Sequence, residues 1–254
     1  MSTTVRWMSM FVDSPPALFD VSAAFWTAVT HTRIGPAVGD HDEFLPLDPV
    51  HGDPCLWLQR TRGGTPTCHP DLYVDDVDDA AQLARDLGAR TVLERDGLVV
   101  CTSPGGLPFC LVRHRGQHVR PGPVGPDGSR SFVDQVCLDI PPGVHDRECG
   151  FWADLTGWER YDDHEDEFER LRRPPALPYA VLLQRLGDEL PTVGAHLDLA
   201  ADDRAAEVAR HVAAGAEIVS RTDGWTVLRD LEVAVVGGQV EVRADGRLLV
   251  VQTL

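Results

Sequence analysis

Apolar and polar residues that alternate with a period of two mark a strand, and a period near 3.6 marks a helix. Residues 69–93 pass from the first pattern to the second and back. His69, Asp71 and Tyr73 fall on one face of an alternating segment, and Leu72 and Val74 on the other. The acidic pair Asp75-Asp76 follows as a cap. Val77, Ala80, Ala81, Leu83, Ala84 and Leu87 then share one side of a helix, and Gly88 stops it, because glycine takes a left-handed conformation at little cost. A second strand starts at Arg90. The same pattern returns near the C-terminus: His196, Asp198, Asp202-Asp203 and Gly215-Ala216 repeat His69, Asp71, Asp75-Asp76 and Gly88-Ala89 at one shift of 127 positions (196 − 69 and 215 − 88). That shift is half of the 254 residues, so the chain reads as one unit written twice.

The remaining pattern supplies the rest of the unit. Trp7 to Asp13 alternates as a strand. Ser14-Pro15-Pro16 is expected to open a helix with serine as cap, its apolar face carrying Leu18, Val21, Phe25 and Val29. Short strands are expected at Phe44–Leu47, Cys55–Arg60, Leu98–Thr102 and Phe109–Arg113. In the second half, Val136 to Asp139 echoes Met10 to Asp13, Phe151-Trp152 echoes Phe25-Trp26, Leu183 to Arg185 echoes Leu58 to Arg60, and Asp223-Gly224 echoes Asp96-Gly97. The chain is therefore expected to be an α+β protein of four βαβββ modules in two tandem domains, residues 1–115 and 131–254. Between them, residues 116–130 are rich in proline and glycine, lack periodicity and read as a linker.

Composition narrows the chemistry. The formal net charge is −17, which makes a nucleic-acid backbone or an anionic membrane a poor partner. No apolar run approaches the ~18 residues of a membrane span, the N-terminus lacks a signal-peptide layout, and a cytoplasmic location as monomer or homodimer is expected. The six cysteines are scattered and read as small buried residues. There is no lysine, which excludes a Schiff-base lysine and a Walker A motif, and no asparagine, a common oxyanion donor. The acidic run Asp162–Glu169 reads as a solvated strand edge rather than a cation site.

Paired βαβββ modules, H-x-D-L at His69 and His196, Gly-Ala at the helix ends and a late Asp-Gly before a strand resemble the vicinal oxygen chelate superfamily. This group contains glyoxalase I, bleomycin-resistance proteins, fosfomycin-resistance enzymes and extradiol dioxygenases, and the nearest likeness is to its glyoxalase-like branch. The resemblance covers nearly the whole chain apart from the linker and the last dozen residues. It implies two tandem glyoxalase-like domains, and for an enzyme it implies a divalent metal held by a first-strand His or Gln, a fifth-strand His and an eighth-strand Glu. Here these positions fall on Trp7, His69 and Pro108 in the first half. In the second half they fall on Val133 (or Asp134), on His196 and, near a shortened eighth strand, on Glu232. One histidine per half falls short of the usual three ligands, so no cofactor is expected, with a divalent metal as the open alternative at His69, His196 or Glu232. Each histidine could instead bond its neighbouring aspartate or touch an organic ligand.

Strand alternation places Trp7, Ser9, Phe11, Trp57, Gln59, His69, Asp71, Tyr73 and Cys110 on the concave face of the first half. Four rings and a few polar groups suit a small planar ligand; the alternative is that the rings fill the core. The second half places Val133, Cys137, Leu182 and Ala200 where the first has rings. His69 with Asp71 is a candidate general base. Two functions follow: a metal-free binding protein of the bleomycin-resistance type for an aromatic or hydrophobic small molecule, or a metal-dependent lyase, isomerase or dioxygenase.

Overall fold

The computed structural model describes residues 3–123, 125, 129–162, 167–230, 232–236, 239–243 and 248–253, with backbone alone from 232 to 248. The first half contains β1 (Val5–Ser14), α1 (Phe19–Thr30), β2 (Arg33–Ile34), β3 (Phe44–Asp48), β4 (Leu56–Arg60), β5 (Thr67–Val74), α2 (Val77–Asp86), β6 (Arg90–Arg95), β7 (Leu98–Thr102) and β8 (Pro108–Arg113). The second contains β9 (Ser131–Ile140), a 3-10 turn at Pro142–Val144, α3 (His145–Thr156), β10 (Arg160–Asp162), β11 (Phe168–Leu171) and β12 (Ala180–Arg185). It continues with β13 (Gly194–Ala201), α4 (Arg204–Ala213), β14 (Glu217–Arg221), β15 (Trp225–Arg229), β16 (Glu232–Val236), β17 (Gln239–Arg243) and β18 (Leu248–Thr253).

Each half makes one eight-stranded mixed sheet with the same strand order. The first runs β2-β3-β4-β1-β5-β8-β7-β6 and the second β10-β11-β12-β9-β13-β18-β15-β14. Parallel pairs (β5 with β8, β9 with β12, β13 with β18) stand beside antiparallel hairpins. The repeat extends to irregularities. The β6–β7 register shifts between Thr91 and Leu93, and the β14–β15 register between Ile218 and Ser220, again 127 positions on (218 − 91). Gln59 faces Phe44 across its ladder as Gln184 faces Phe168.

Local chemistry accounts for the helix ends. The Asp76 side chain accepts from Asp79 N at 3.0 Å, and Asp203 does the same for Ala206 N at 3.0 Å. Both helices then turn through glycines at positive φ, Gly88 (100°) and Gly215 (114°), where an L side chain would be strained. Three sequence expectations differ from the structure. Helix α1 starts at Phe19, because Ser14 remains in β1 and its hydroxyl donates to Ser22 Oγ at 2.9 Å rather than capping. Its buried face carries Phe19, Ser22, Ala23, Phe25, Trp26 and Val29, while Val21 is 40% exposed, since the large Trp26 ring sets which side faces inward. In the second half the eighth strand of the sheet is β18, paired with both β13 and β15, whereas Glu232 lies in the separate β16–β17 hairpin.

The chain packs as two compact units, and each draws segments from both halves. Unit 1 comprises Met1–Met10, Cys68–Arg120 and Gln135–Ala195; unit 2 comprises Phe11–Thr67, Pro121–Asp134 and His196–Leu254. In unit 1, Phe109, Phe151 and Trp152 pack edge to face with centroids 5.1–5.7 Å apart. Glu148, fully buried beside them, accepts from Gly105 N at 2.7 Å and Trp152 Nε1 at 2.8 Å. In unit 2, Phe25 packs edge to face on Trp26 and on His211, and Arg210 donates to the last carbonyls of α1, Ala28 O at 2.7 Å and Val29 O at 2.9 Å. Such a guanidinium satisfies carbonyls that a helix end leaves open.

Candidate functional site

Six of the nine residues expected on the first concave face belong to unit 1. Trp7 and Ser9 come from β1, His69, Asp71 and Tyr73 from β5, and Cys110 from β8; all six are at least nine-tenths buried. Asp71 and Cys110 are ladder partners on adjacent parallel strands. His69 Nε2 stands 3.5 Å from Asp71 Oδ1, and the potential ligand atoms of His69, Asp71 and Cys110 lie within 4.8 Å of one another. Burial pushes the Tyr73 phenol above its ordinary value of 10, the Asp71 carboxylate adds to this, and the neighbouring Ser9 hydroxyl opposes it. Tyr73 is therefore a neutral O–H at physiological pH and not a base. The Trp7 indole N–H is buried and meets no hydrogen-bond acceptor among the described residues, a costly state for a polar group.

The other three residues belong to unit 2. The rings of Phe11 and Trp57 stack at 5.7 Å with an interplanar angle of 17°, and Phe44 meets Phe11 edge-on at 5.9 Å. Phe44 joins the cluster in addition to the residues expected there; its alternation with Leu45 is the one sign of this in the sequence. Trp57 Nε1 is buried and without a hydrogen-bond partner among the described residues. Gln59, next on the same strand face, is half-buried.

The second half keeps the histidine–aspartate pair and changes its surroundings. His196 Nε2 lies 3.2 Å from Asp198 Oδ1. Register makes Val250, the partner of Asp198, the counterpart of Cys110. In unit 1, Cys137 Sγ lies 3.8 Å from Gln184 Oε1, and Arg170 donates to Gln135 Oε1. Arg170 was not legible as a site residue: it follows Phe168 by two, as Pro46 follows Phe44, so the first half gives no hint of it. The Glu232 side chain and residues 163–166 of the acidic run lie outside the described residues.

The ligand set implied by the resemblance does not fit the first half. The Trp7 indole can only donate, and Pro108, exposed at the start of β8, offers no ligand atom. Only His69 matches, although Asp71 and Cys110 bring two further donor atoms near it.

A family model described as "Glyoxalase-like domain" matches residues 9–112 and 135–233, one segment in each half. The chain belongs to the glyoxalase-like domain family. It is thereby a member of the vicinal oxygen chelate superfamily, with two tandem glyoxalase-like domains. No curated protein matches its sequence. Among solved structures it is similar to the Mn(II)-bound glyoxalase from Novosphingobium aromaticivorans (18% identity, TM-score 0.60, covering 99% of this chain and 82% of that one). It is also similar to a variant of homoprotocatechuate 2,3-dioxygenase from B.fuscum in complex with HPCA (14% identity, TM-score 0.63, covering 100% and 72%). A third likeness is to a xylose isomerase-like TIM barrel/4-hydroxyphenylpyruvate dioxygenase fusion protein (13% identity, TM-score 0.58), of whose length this glyoxalase-like chain spans 49%. At these identities the likeness is one of fold.

Proposed function

We propose that this glyoxalase-like protein binds a small aromatic or hydrophobic molecule on the concave face of its first half, without the metal-ligand set typical of the superfamily. The observation that carries the reading is Trp7. At the position of a metal ligand it puts a buried indole N–H with no hydrogen-bond acceptor among the described residues. A ligand carbonyl, hydroxyl or carboxylate oxygen that displaced the side chains covering the ring would satisfy that donor. Tyr73, held neutral, and Ser9 would add orienting hydrogen bonds, and His69 with Asp71 a paired acceptor and donor.

The proximity of His69, Asp71 and Cys110 favours a second reading, a metal-dependent lyase, isomerase or dioxygenase with an altered ligand set. Tryptophan-fluorescence titration with a panel of aromatic carboxylates and phenols tests both. The binding reading expects saturable quenching that survives a chelator and weakens about ten-fold in Tyr73→Phe or Ser9→Ala, the loss of one ~1.4 kcal/mol contact. Binding that vanishes with chelator and returns with Mn(II) or Fe(II) supports the second reading instead. No saturable quenching by any compound overturns the first.

A further inference from the structure

We propose that His145, Cys149 and Glu169 form a binding site for a zinc-class divalent cation, on the helix side of β11 and separate from the His69 group. His145 and Cys149 sit at positions i and i+4 of α3, hence on one face of the helix, and Glu169 projects from β11 toward them. The potential ligand atoms of all three lie within 4.8 Å of one another, and all three belong to unit 1. His145 is 2% exposed and Cys149 0%.

The imidazole is oriented for the task. Its Nδ1 lies 3.2 Å from Asp146 Oδ1, and Asp146 is itself anchored by Arg185 Nη2 at 2.9 Å. A carboxylate on one ring nitrogen fixes the tautomer and leaves the other nitrogen as a lone-pair donor, the arrangement that supports histidine ligands to zinc. That other nitrogen, Nε2, is 3.5 Å from Cys149 Sγ. Bonds of about 2.3 Å to sulfur and about 2.0 Å to nitrogen at a tetrahedral angle put those two atoms about 3.5 Å apart, so the separation already suits a shared ion. The sulfur is also 3.9 Å from Nδ1 and so stands off the Nε2 lone-pair axis; a rotation of the Cys149 side chain has to bring it onto the ion. Glu169 carries a bidentate pair with Arg160, at 2.9 Å on each oxygen. A carboxylate has about four lone-pair sites, so each oxygen keeps one for a cation, while Arg160 holds the group in place. One nitrogen, one sulfur and one oxygen donor is a borderline set that suits zinc over calcium or magnesium. Burial pushes the Cys149 thiol up to about 12, so without a cation the sulfur stays protonated and is no nucleophile. A bound cation would deprotonate it.

The rival explanation is a plain S–H···N contact in a packed helix. Titration of the full, reduced chain with Co(II) separates the two, since cobalt bound by thiolate absorbs in the near ultraviolet by charge transfer. The expected result is a band that saturates at one equivalent, is lost in Cys149→Ala and persists in Cys110→Ala and Cys137→Ala. Glu169→Gln and His145→Ala should bind more weakly with a less tetrahedral visible spectrum, and Asp146→Ala should bind about ten-fold more weakly with the band intact. Circular dichroism identifies any variant that fails to fold, and Asp146→Ala, altered at an exposed position, carries the test if Cys149→Ala does. Absence of the band in the native chain, or a band that follows Cys110 or Cys137, overturns the proposal. Neither outcome bears on the ligand titration above, which reads Tyr73 and Ser9.

Discussion

Glu207 and His211 show how single residues hold unit 2 together. Glu207 is buried and accepts from Ser131 Oγ at 2.7 Å, from His211 Nε2 at 3.0 Å and from Arg210. Burial alone would raise its carboxyl; the bonds from His211 and Ser131 and the charge of Arg210 outweigh that and hold it down at about 2. His211 is fully buried and its own value falls, because desolvation exceeds the pull of the carboxylate. Its Nδ1 has no hydrogen-bond partner among the described residues, as suits a neutral ring whose one N–H points at Glu207. A carboxyl depressed on folding contributes stability above its ordinary value of 4.5 and loses it as pH falls toward 2. Urea unfolding of native chain and Glu207→Gln across that range checks this: the variant should show a shallower loss toward acid, the difference being on the order of 3 kcal/mol. At the same scale, the site histidines were legible because each stands two residues before an aspartate on an alternating strand. Arg170 and the His145–Cys149–Glu169 group were not. Arg170 reaches Gln135 from β11 to β9 across one sheet, and the other group joins α3 to β11; no periodicity in the chain marks either juxtaposition.

At the scale of elements, the two best-written segments are α2 and α4. Each has an aspartate at its N-cap with a bond of 3.0 Å to the third residue on, and each ends in a glycine of positive φ. Asp76→Ala and Asp203→Ala should each cost about 1 kcal/mol, read as equal shifts in urea midpoint at unchanged slope. Unequal shifts would mean that the copies no longer carry equal roles. Helix α1 is less legible. Its opening serine is taken by Ser22, and the prolines that would mark a first turn fill a loop instead. A cap is visible in sequence when its partner lies three residues on; Ser14 bonds eight residues on, which only the fold brings near. The eighth strand of the second half was displaced for a similar reason: the alternating run after Asp230 makes its own hairpin, and β18 supplies the sheet.

At the scale of the whole molecule, the repeat gave the architecture directly. One shift of 127 predicts two sheets of the same strand order, and two such sheets are present. What the repeat could not give is which modules pack together. Unit 1 needs the chain only as far as Ala195, whereas unit 2 joins Phe11–Thr67 to His196–Leu254. That difference orders events in time. A chain emerging from the ribosome holds every segment of unit 1 once residue 195 is out, while the segment around α1 must wait for the last stretch to be made. Contacts across so long a separation also close slowly. Pulsed hydrogen exchange during refolding should therefore protect α2 and α3 before α1 and α4, and simultaneous protection of all four would show that the units form together. Until the wait ends, the α1 face with its Phe25 and Trp26 rings has no α4 to cover it, and that interval is when the chain is most exposed to aggregation.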